Sequence, residues 1–302
     1  MKFLVTGSNG YIGKHACEYL RNKKNYIIGT GRKEYSVSEI DQYIQCDFAN
    51  DEIKAKLKGI FECGLDGIFH IAADNRKEPH GIEVIKSNCI GTQALLELAQ
   101  EYGVNSFIQL SSVPVIGSPK ELPITPKHSL EPPTIYHATK CLQELLADYA
   151  YRSAGLRTVS IRIPSPMGIG VNPHYIFPTL IRKAMHGDDI ELYGTGSRKQ
   201  TYVHVLDICK AMENAFYRDN CHGTYVLGSP HLISNKDLAE LVVQILDSDS
   251  IIKYTGIPDI YDNQCWKIDY QPMVEEIGYH PETSLEEMIL EYSEYLKNSG
   301  EM

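Results

Sequence analysis

Three side chains near the middle of the chain have the types and spacing that proton transfer at a hydroxyl group requires. Tyr136 and Lys140 lie four residues apart in a stretch of helical composition, so both side chains lie on one helix face. A free tyrosine has a pKa of about 10, and a nearby ammonium group favours the phenolate and lowers that pKa. Ser111 and Ser112 end a predicted strand, where a hydroxyl group can hold the same substrate oxygen. The set predicts acid–base chemistry, although a solvated pair on an exposed helix would have the same spacing.

Alternating strands and helices surround these residues and predict the framework that positions them. The predicted strands are 2–6, 26–30, 44–46, 67–71, 106–112 and 157–163. The predicted helices between them are 15–22, 51–58, 90–103 and 138–155. Strands that alternate with helices in one order form a parallel sheet with helices on both faces, so the sequence predicts an α/β fold.

The composition of the sequence changes after Pro164, where loops rich in proline and glycine begin. Beyond it, a strand is predicted near 201–205 and helices at 205–217, 235–246 and 284–298. We expect residues 1–164 to form one domain, to which 200–220 returns, and residues 165–302 to form mostly a smaller, partly interleaved lobe.

Three glycines directly behind the first strand, Gly7, Gly10 and Gly13, form a second candidate site. A strand, a tight glycine turn and a helix N-terminus make a cradle for an anion, because backbone N–H groups and the helix dipole point to the same place. Gly7 can take the turn, Gly10 can let a pyrophosphate approach the backbone, and Gly13 can let the helix pack closely. Glycines that only shape an ordinary βα turn are the alternative.

The stretch "VTGSNGYIG" that contains these glycines resembles the extended, sugar-modifying branch of the short-chain dehydrogenase/reductase superfamily. This branch comprises NAD(P)-dependent epimerases, dehydratases and 4-ketoreductases. Further blocks follow in the family order up to about residue 290: "DF" at 47–48, "HIAA" at 70–73, "NCIGTQALLELA" from Asn88, "QLSSVPVIG", "YHATK", "RIPSPMG" and "GTGSRKQTYVHVLDI". The resemblance implies a Rossmann-type, doubly wound parallel sheet with a smaller C-terminal α/β lobe for the substrate.

The resemblance also implies which residues meet the cofactor and the substrate hydroxyl. The family serine lies five residues before a glycine that matches Gly117, which selects Ser112 rather than Ser111. Ser112, Tyr136 and Lys140 are then the catalytic residues, and Lys140 also contacts the nicotinamide ribose. The implied cofactor-binding residues are Gly7, Asn9, Gly10, Tyr11, Ile12, Gly13, Arg32, Lys33, Asp47, Phe48, Ile71, Ala72, Ala73, Asn88, Tyr136, Lys140 and Ile163.

The end of the second predicted strand favours NADP over NAD as the cofactor. In NAD enzymes of this kind an acidic residue there binds the ribose 2′-hydroxyl, whereas an arginine accommodates a 2′-phosphate. The acidic position falls on Gly31, and Arg32 and Lys33 follow it. Glu34 is close enough to take the acidic role, so NAD stays open as the alternative. Arg32 could also stack on adenine while Lys33 is merely solvated.

The residues after Ser112 bear on the reaction. Sugar 4,6-dehydratases of this branch carry an Asp-Glu pair or a similar acid there, but this chain has Val113 and Pro114. We therefore expect no dehydration. A 4-epimerase and a one-way 4-ketoreductase need only the serine, the tyrosine and the lysine, and both remain possible.

The substrate side departs from the family pattern. Nucleotide-sugar members usually have an arginine, which clamps the pyrophosphate, where Gln200 stands, and a second arginine in a late loop that here reads "GIPDIYDN". Arg198 could replace the first. The candidate substrate-binding residues are Ser112, Ser165, Phe177, Tyr193, Arg198 and Gln200. A small non-nucleotide carbonyl substrate is the alternative for an enzyme. A catalytically silent cofactor sensor is the alternative of another class, and the intact catalytic set argues against it.

Composition limits the partners. The formal net charge is −10 and the sequence pI is about 5.6, so we do not expect nucleic acid or anionic membranes as main partners. Eight scattered cysteines without a CxxC pair, and histidines without metal spacing, predict free and mostly buried thiols and no metal. We expect a cytoplasmic protein, because no signal peptide or membrane span is evident. The resemblance implies a homodimer formed through two helices of the cofactor domain.

Overall fold

A seven-stranded parallel sheet forms the centre of the computed structural model, which describes residues 1–49, 52–77 and 80–300. Its strands are β1 Lys2–Thr6, β2 Tyr26–Gly31, β3 Gln42–Gln45, β4 Gly67–His70, β5 Ser106–Ser112, β6 Arg157–Ile163 and β10 Gly223–Val226. They lie in the order β10-β6-β5-β4-β1-β2-β3, and every neighbouring pair is parallel. The strand order reverses between β1 and β4, so the carboxyl ends of these strands border a crevice.

Helices cover both faces of this sheet. One face carries α1 Tyr11–Asn22 and α7 Val205–Tyr217, and the other carries α2 Ile53–Glu62, α4 Gly91–Glu101 and α5 Ile135–Ala154. The short helix α3 Gly81–Ile85 and a π-helical turn, Lys86–Ile90, lead directly into α4. The side chains of β1 alternate between the two faces: Phe3 and Val5 pack toward α1 and α7, and Leu4 packs toward α2 and α4.

The second lobe is built mostly from the chain after β6. Its strands are β7 Ser165–Met167, β8 Ile190–Leu192, β9 Lys199–His204, β11 Leu232–Ser234 and β12 Ile252–Tyr254, and its helices are α6 Ile176–His186, α8 Asn235–Ile245 and α9 Leu285–Ser299. β9 pairs with both β7 and β11, and β8 pairs with β12. A separate apolar core, which includes Phe177, Ile181, Leu238 and Tyr292, holds this lobe together.

The predicted α/β sheet is confirmed, and the differences concern single elements. The helix predicted at 205–217 coincides with α7. Helix α6 lies in the stretch rich in proline and glycine for which loops were predicted. Pro178 there resembles a helix breaker, but it falls in the first turn of α6, where proline is tolerated. Strand β10 is four residues long, too short to show a pattern. The predicted helix 51–58 begins at Asp51, which lies outside the described residues; α2 runs from Ile53 to Glu62.

The cysteines match their prediction. All eight are free thiols, and six of them are buried. Among the described residues, no helix combines the length and the apolar character that crossing a bilayer requires.

Candidate active site

A cavity of about 1460 Å³ lies between the carboxyl ends of β4, β5 and β6 and the second lobe. Its wall contains Ser112 at the end of β5, Tyr136 and Lys140 from α5, and Gln200 from β9. Open α/β sheets bind their ligands beyond the carboxyl ends of the strands. The structure thus places the three candidate catalytic residues in one wall, facing side chains of the second lobe.

The start of α5 positions the tyrosine and the lysine. The hydroxyl oxygen of Thr134 accepts a hydrogen bond from the backbone N–H of His137 and caps the helix, so Tyr136 falls in its first turn. Lys140 lies one turn later and is buried. Its Nζ donates to the backbone oxygen of Leu110 at 2.8 Å and lies 5.9 Å from the centre of the Tyr136 ring. This bond joins α5 to β5 two residues before Ser112.

The electrostatics differ from the expectation of a lowered tyrosine pKa. Burial raises the pKa of Tyr136 to about 12. Burial also lowers the pKa of Lys140 to about 8, against the opposite influence of the Glu144 carboxylate. Burial therefore has the larger effect on both groups, because it disfavours the charged form of each. In this state the phenol of Tyr136 is protonated at neutral pH.

A buried ion pair lies beneath the candidate catalytic residues, and sequence reasoning missed it. Arg162 of β6 donates from Nε and Nη2 to the Glu144 carboxylate of α5 at 2.9 and 2.7 Å. The same carboxylate accepts a hydrogen bond from Ser111 Oγ. The network joins β5, β6 and α5 directly below the cavity. Its signal in the sequence was a carboxylate four residues after Lys140, on the same helix face.

The glycine loop has the close packing expected of an anion cradle. Gly7 has a φ of +68°, and a Cβ there would lie 2.9 Å from the backbone nitrogen of Ala72. A Cβ on Gly13 would lie 2.0 Å from the backbone oxygen of Gly7. α1 starts directly after Gly10 without a side-chain cap, and its first turn holds no acidic residue. Its N-terminal N–H groups are therefore suited to a bound pyrophosphate, and the loop fits a dinucleotide.

The end of β2 lies beside a network of polar side chains. Tyr43 donates to the backbone oxygen of Lys33 at 2.8 Å and accepts from Asn9 Nδ2 at 3.1 Å. Its hydroxyl group fills the space beside Gly31, where a Cβ would approach it to 2.9 Å. The position that is acidic in NAD enzymes therefore faces a neutral phenol.

Arg32 lies beside a carboxylate that already has a cationic partner. Asp74 is buried, and Arg76 binds both of its oxygens. Arg32 Nη1 is 3.8 Å from the same carboxylate, and its side chain is largely exposed. The two guanidinium groups hold the pKa of Asp74 below its ordinary value, with the hydrogen bonds from Arg76 as the largest cause.

Six further candidate cofactor residues fall into two groups. The cavity wall contains Ile12, Ile71, Ala73 and Ile163. Asn88 and Phe48 instead lie in the protein interior. The side-chain amide of Asn88 donates to the Asp74 carbonyl and to Thr139 Oγ1, and its oxygen accepts from the Asp74 N–H, so it orders the loop after β4.

Three other predicted cofactor residues lie close to backbone groups or to the second lobe. Ala72 packs against Gly7, as described above. Asp47 accepts a hydrogen bond from the backbone N–H of Ala49 at 3.0 Å. Tyr11 packs against the core of the second lobe, and its hydroxyl group is buried without a hydrogen-bond partner among the described residues.

The structure places most, but not all, of the predicted substrate residues in the cavity lining. Ser165, Phe177, Arg198 and Gln200 line the cavity, and Ser165 Oγ donates to Gln200 Oε1 at 3.2 Å. Tyr193 is exposed and lies outside the described lining of the cavity. Sequence reasoning missed two aromatic residues of a late loop. They are Trp266, which lines the cavity, and Tyr261, whose ring faces Arg198.

Known proteins with similar sequences include sugar-nucleotide enzymes. The chain is 26% identical over 306 residues to the dTDP-glucose 4,6-dehydratase of Streptomyces griseus, covering 93% of this chain and 90% of that protein. It is 27% identical to the UDP-glucose 4-epimerase of Caenorhabditis elegans, with 95% of each chain covered. The crystal structure of UDP-glucose 4-epimerase from Thermotoga maritima with UDP-glucose has the same fold, with a TM-score of 0.88, 22% identity and 99% of each chain covered.

The fold is of the Rossmann type, with a smaller second lobe that adjoins the cavity. Residues 3–228 match the NAD-dependent epimerase/dehydratase family, and the chain belongs to that family. The family establishes the general kind of chemistry, that of an NAD-dependent epimerase or dehydratase.

Proposed function

We propose that the protein moves hydride reversibly at C4 of a nucleotide-activated sugar, as a 4-epimerase or a 4-ketoreductase. The observation that carries the proposal is the meeting of Ser112, Tyr136 and Lys140 in one cavity wall. No Asp or Glu occurs among the described residues that line this cavity. Chemistry that needs a hydroxyl–phenol–ammonium set and no carboxylate is therefore favoured.

Each of the three residues has a defined task in this proposal. Tyr136 gives a proton to the C4 oxygen or takes one from it, Ser112 holds that oxygen, and Lys140 favours the phenolate when the proton leaves. A bound nicotinamide dinucleotide supplies the hydride acceptor and donor. The partial burial of Tyr136 in the cavity wall is consistent with its raised pKa.

The curated relatives include 4,6-dehydratases, so the absence of dehydration rests on residues of this chain. Elimination of water requires an acid–base group beside the sugar, in addition to the hydride-transfer residues. Val113 and Pro114 follow Ser112 in the cavity wall, and neither can exchange a proton. This supports epimerisation or ketoreduction over dehydration.

Arg198 supports a substrate with a diphosphate. It lines the cavity, and its guanidinium group forms no ion pair with any described residue. Gln200, which stands where the family usually has arginine, can donate a hydrogen bond but cannot neutralise charge. Arg198 is therefore the proposed grip on the diphosphate, and uncharged carbonyl compounds would not use it.

The proposed cofactor preference is NADP. Arg32 is largely exposed and only distantly paired with Asp74, whose oxygens Arg76 already binds. A 2′-phosphate offers Arg32 a better partner, because charge-assisted hydrogen bonds to phosphate are strong. NAD remains the alternative cofactor, and the Tyr43 hydroxyl beside Gly31 is then a candidate neighbour of the ribose.

We also propose a homodimer formed through α3 and α5, which pack side by side. Leu142, Leu145 and Tyr149 on α5, and Ile82 and Ile85 on α3, are all exposed. Their spacing places each set on one helix face. A contiguous exposed apolar face of this kind is typical of a subunit interface.

A substrate screen tests the proposed reaction. The purified protein is incubated with UDP- and dTDP-hexoses and their 4-keto forms, and separately with simple ketones, in the presence of NAD or NADPH. Interconversion of C4 epimers without net change in NADPH absorbance indicates an epimerase, and stoichiometric loss of NADPH with a 4-keto sugar indicates a ketoreductase. Turnover of simple ketones alone, or release of a 4-keto-6-deoxy product, would contradict the proposal.

A further inference from the structure

Two loops of the second lobe are joined at the mouth of the cavity through one carboxylate. Asp262 accepts hydrogen bonds from the N–H and the hydroxyl of Thr195, at 2.7 and 2.8 Å, and from the N–H of Ser197 at 3.0 Å. Ser197 Oγ donates back to the Asp262 carbonyl at 2.7 Å. Gly194 has a φ of +58°, and a Cβ there would lie 2.6 Å from the carboxylate. These contacts hold 193–198 and 255–264 as one unit.

Each of the two loops contributes one side chain to a stacked pair. Arg198 presents its guanidinium group to the ring of Tyr261, with 5.2 Å from Cζ to the ring centre. Arg198 also lines the cavity, and its Nε is buried without a hydrogen-bond partner among the described residues. A cation without a carboxylate partner, in a cavity wall that includes no described acid, is suited to an anion.

The ring is the group available to orient this cation. Arginine loses rotamer entropy when it binds, and an aromatic face that restrains the guanidinium plane reduces this cost. The segment "GIPDIYDN", 256–263, contains no Lys or Arg, so the loop provides a ring and no second positive charge. Tyr261 itself is half-exposed and lies outside the described cavity lining, so it acts through its neighbour.

We propose that Tyr261 is a positioning residue that holds Arg198 in the cavity wall to bind the diphosphate of the substrate. This inference rests on the proposed function, since it presumes a nucleotide substrate. The alternative is that Tyr261 contacts the nucleobase directly, in which case its contribution would not depend on Arg198.

Calorimetric binding of UDP, or of dTDP if the parent binds it more tightly, tests the proposal. Arg198→Ala should weaken binding about tenfold or more, the scale for a charge-assisted hydrogen bond. Tyr261→Ala should weaken it about three- to tenfold, the scale of a cation–π contact. Tyr261→Phe, which keeps the ring face, should match the parent. Tyr261→Ala should add nothing in an Arg198→Ala background, because both changes remove one interaction.

Controls separate loss of the interaction from loss of the fold. Tyr254→Ala removes an exposed tyrosine of neighbouring β12 and should leave nucleotide binding unchanged, and every variant should keep the cofactor affinity of the parent. The positioning role is overturned if Arg198→Ala weakens binding and Tyr261→Ala does not. It is also overturned if the two changes add independently or if Tyr261→Phe behaves like Tyr261→Ala. A parent that binds neither nucleotide overturns the proposed function as well.

Discussion

Lys140 donates its hydrogen bond to the backbone oxygen of Leu110, while its ammonium nitrogen stays 5.9 Å from the centre of the Tyr136 ring. The lysine is therefore held by the end of β5 and faces the phenol without binding it. Burial keeps the tyrosine protonated and makes the lysine a weaker base than usual. Any change in the charges of Tyr136 and Lys140 must therefore follow from the binding of ligands in the cavity.

The lowered pKa of Lys140 predicts a stability change in the cofactor-free protein. From about pH 8, the folded-state value, up to the ordinary lysine value, the unfolded chain binds a proton that the folded protein has lost. The contribution of Lys140 to the free energy of unfolding therefore rises with pH across that window, by at most about 1.4 kcal/mol per pH unit. Tyr136, whose folded pKa is raised, opposes the gain only above about pH 10.

Urea unfolding of the parent and of Lys140→Met between about pH 7.5 and about pH 9.5 measures this effect, because that window includes the lowered pKa of Lys140. The parent should gain stability relative to the variant as pH rises. A constant difference between the two proteins would show that the ammonium group is not destabilised by burial.

Arg32 should determine the choice between the two dinucleotides. Because a 2′-phosphate can bind its guanidinium group, Arg32→Ala should weaken NADPH binding about tenfold or more and NADH binding little. Fluorescence titration of both dinucleotides measures this. Arg152→Ala, which removes an exposed arginine near the far end of α5, is the matched control. Equal losses, or tighter NADH binding in the parent, would favour Glu34 as the residue that binds the ribose.

The exposed face of α5 should control the oligomeric state. Leu145→Arg places a charge in the centre of the proposed apolar interface and should convert a dimer to a monomer in light scattering. Leu290→Arg makes the same change at a similarly exposed leucine of α9, in the other lobe, and should leave the dimer intact. Dimers in both variants, or a monomeric parent, would place the interface elsewhere or exclude it.

The buried pair below the cavity should contribute strongly to stability. Glu144→Gln leaves the Arg162 guanidinium buried without its counter-charge, which should lower the free energy of unfolding by about 3–5 kcal/mol. Asp148→Asn breaks the exposed pair with Arg152 one turn along the same helix and should cost about 0–1 kcal/mol. Urea unfolding compares the two variants. Similar small losses would mean that the buried pair contributes no more than a surface pair.

Much of this architecture could be predicted because local patterns determine it. Helix α7 has clear apolar periodicity, and strand β5 contains a short apolar stretch with Phe107, Ile108 and Leu110; both elements appear with the predicted bounds. The spacing of Tyr136 and Lys140 fixes their common helix face, and Ser112 lies at the end of a strand by its position in the chain. These relations are short-range, so they can be predicted without knowledge of the tertiary structure.

The parts that were not predicted depend on contacts between distant segments. Glu144 and Arg162 meet because α5 packs on β6. Arg198 meets Tyr261 because Asp262 binds Thr195 and Ser197, which lie 67 and 65 positions before it in the chain. The pKa of Tyr136 was expected to fall because its neighbour is a lysine, but burial outweighs that neighbour. Burial is a property of the packed protein, and spacing along the chain does not report it.

The most direct test of the proposed chemistry replaces one oxygen atom. Tyr136→Phe keeps the ring and the packing but removes the group that transfers the proton to and from the C4 oxygen. We expect turnover of the nucleotide sugar found by the screen to fall roughly a hundredfold or more, the usual scale for an acid–base group, with cofactor affinity unchanged. Turnover close to that of the parent would contradict the assignment of Tyr136 and with it the central claim.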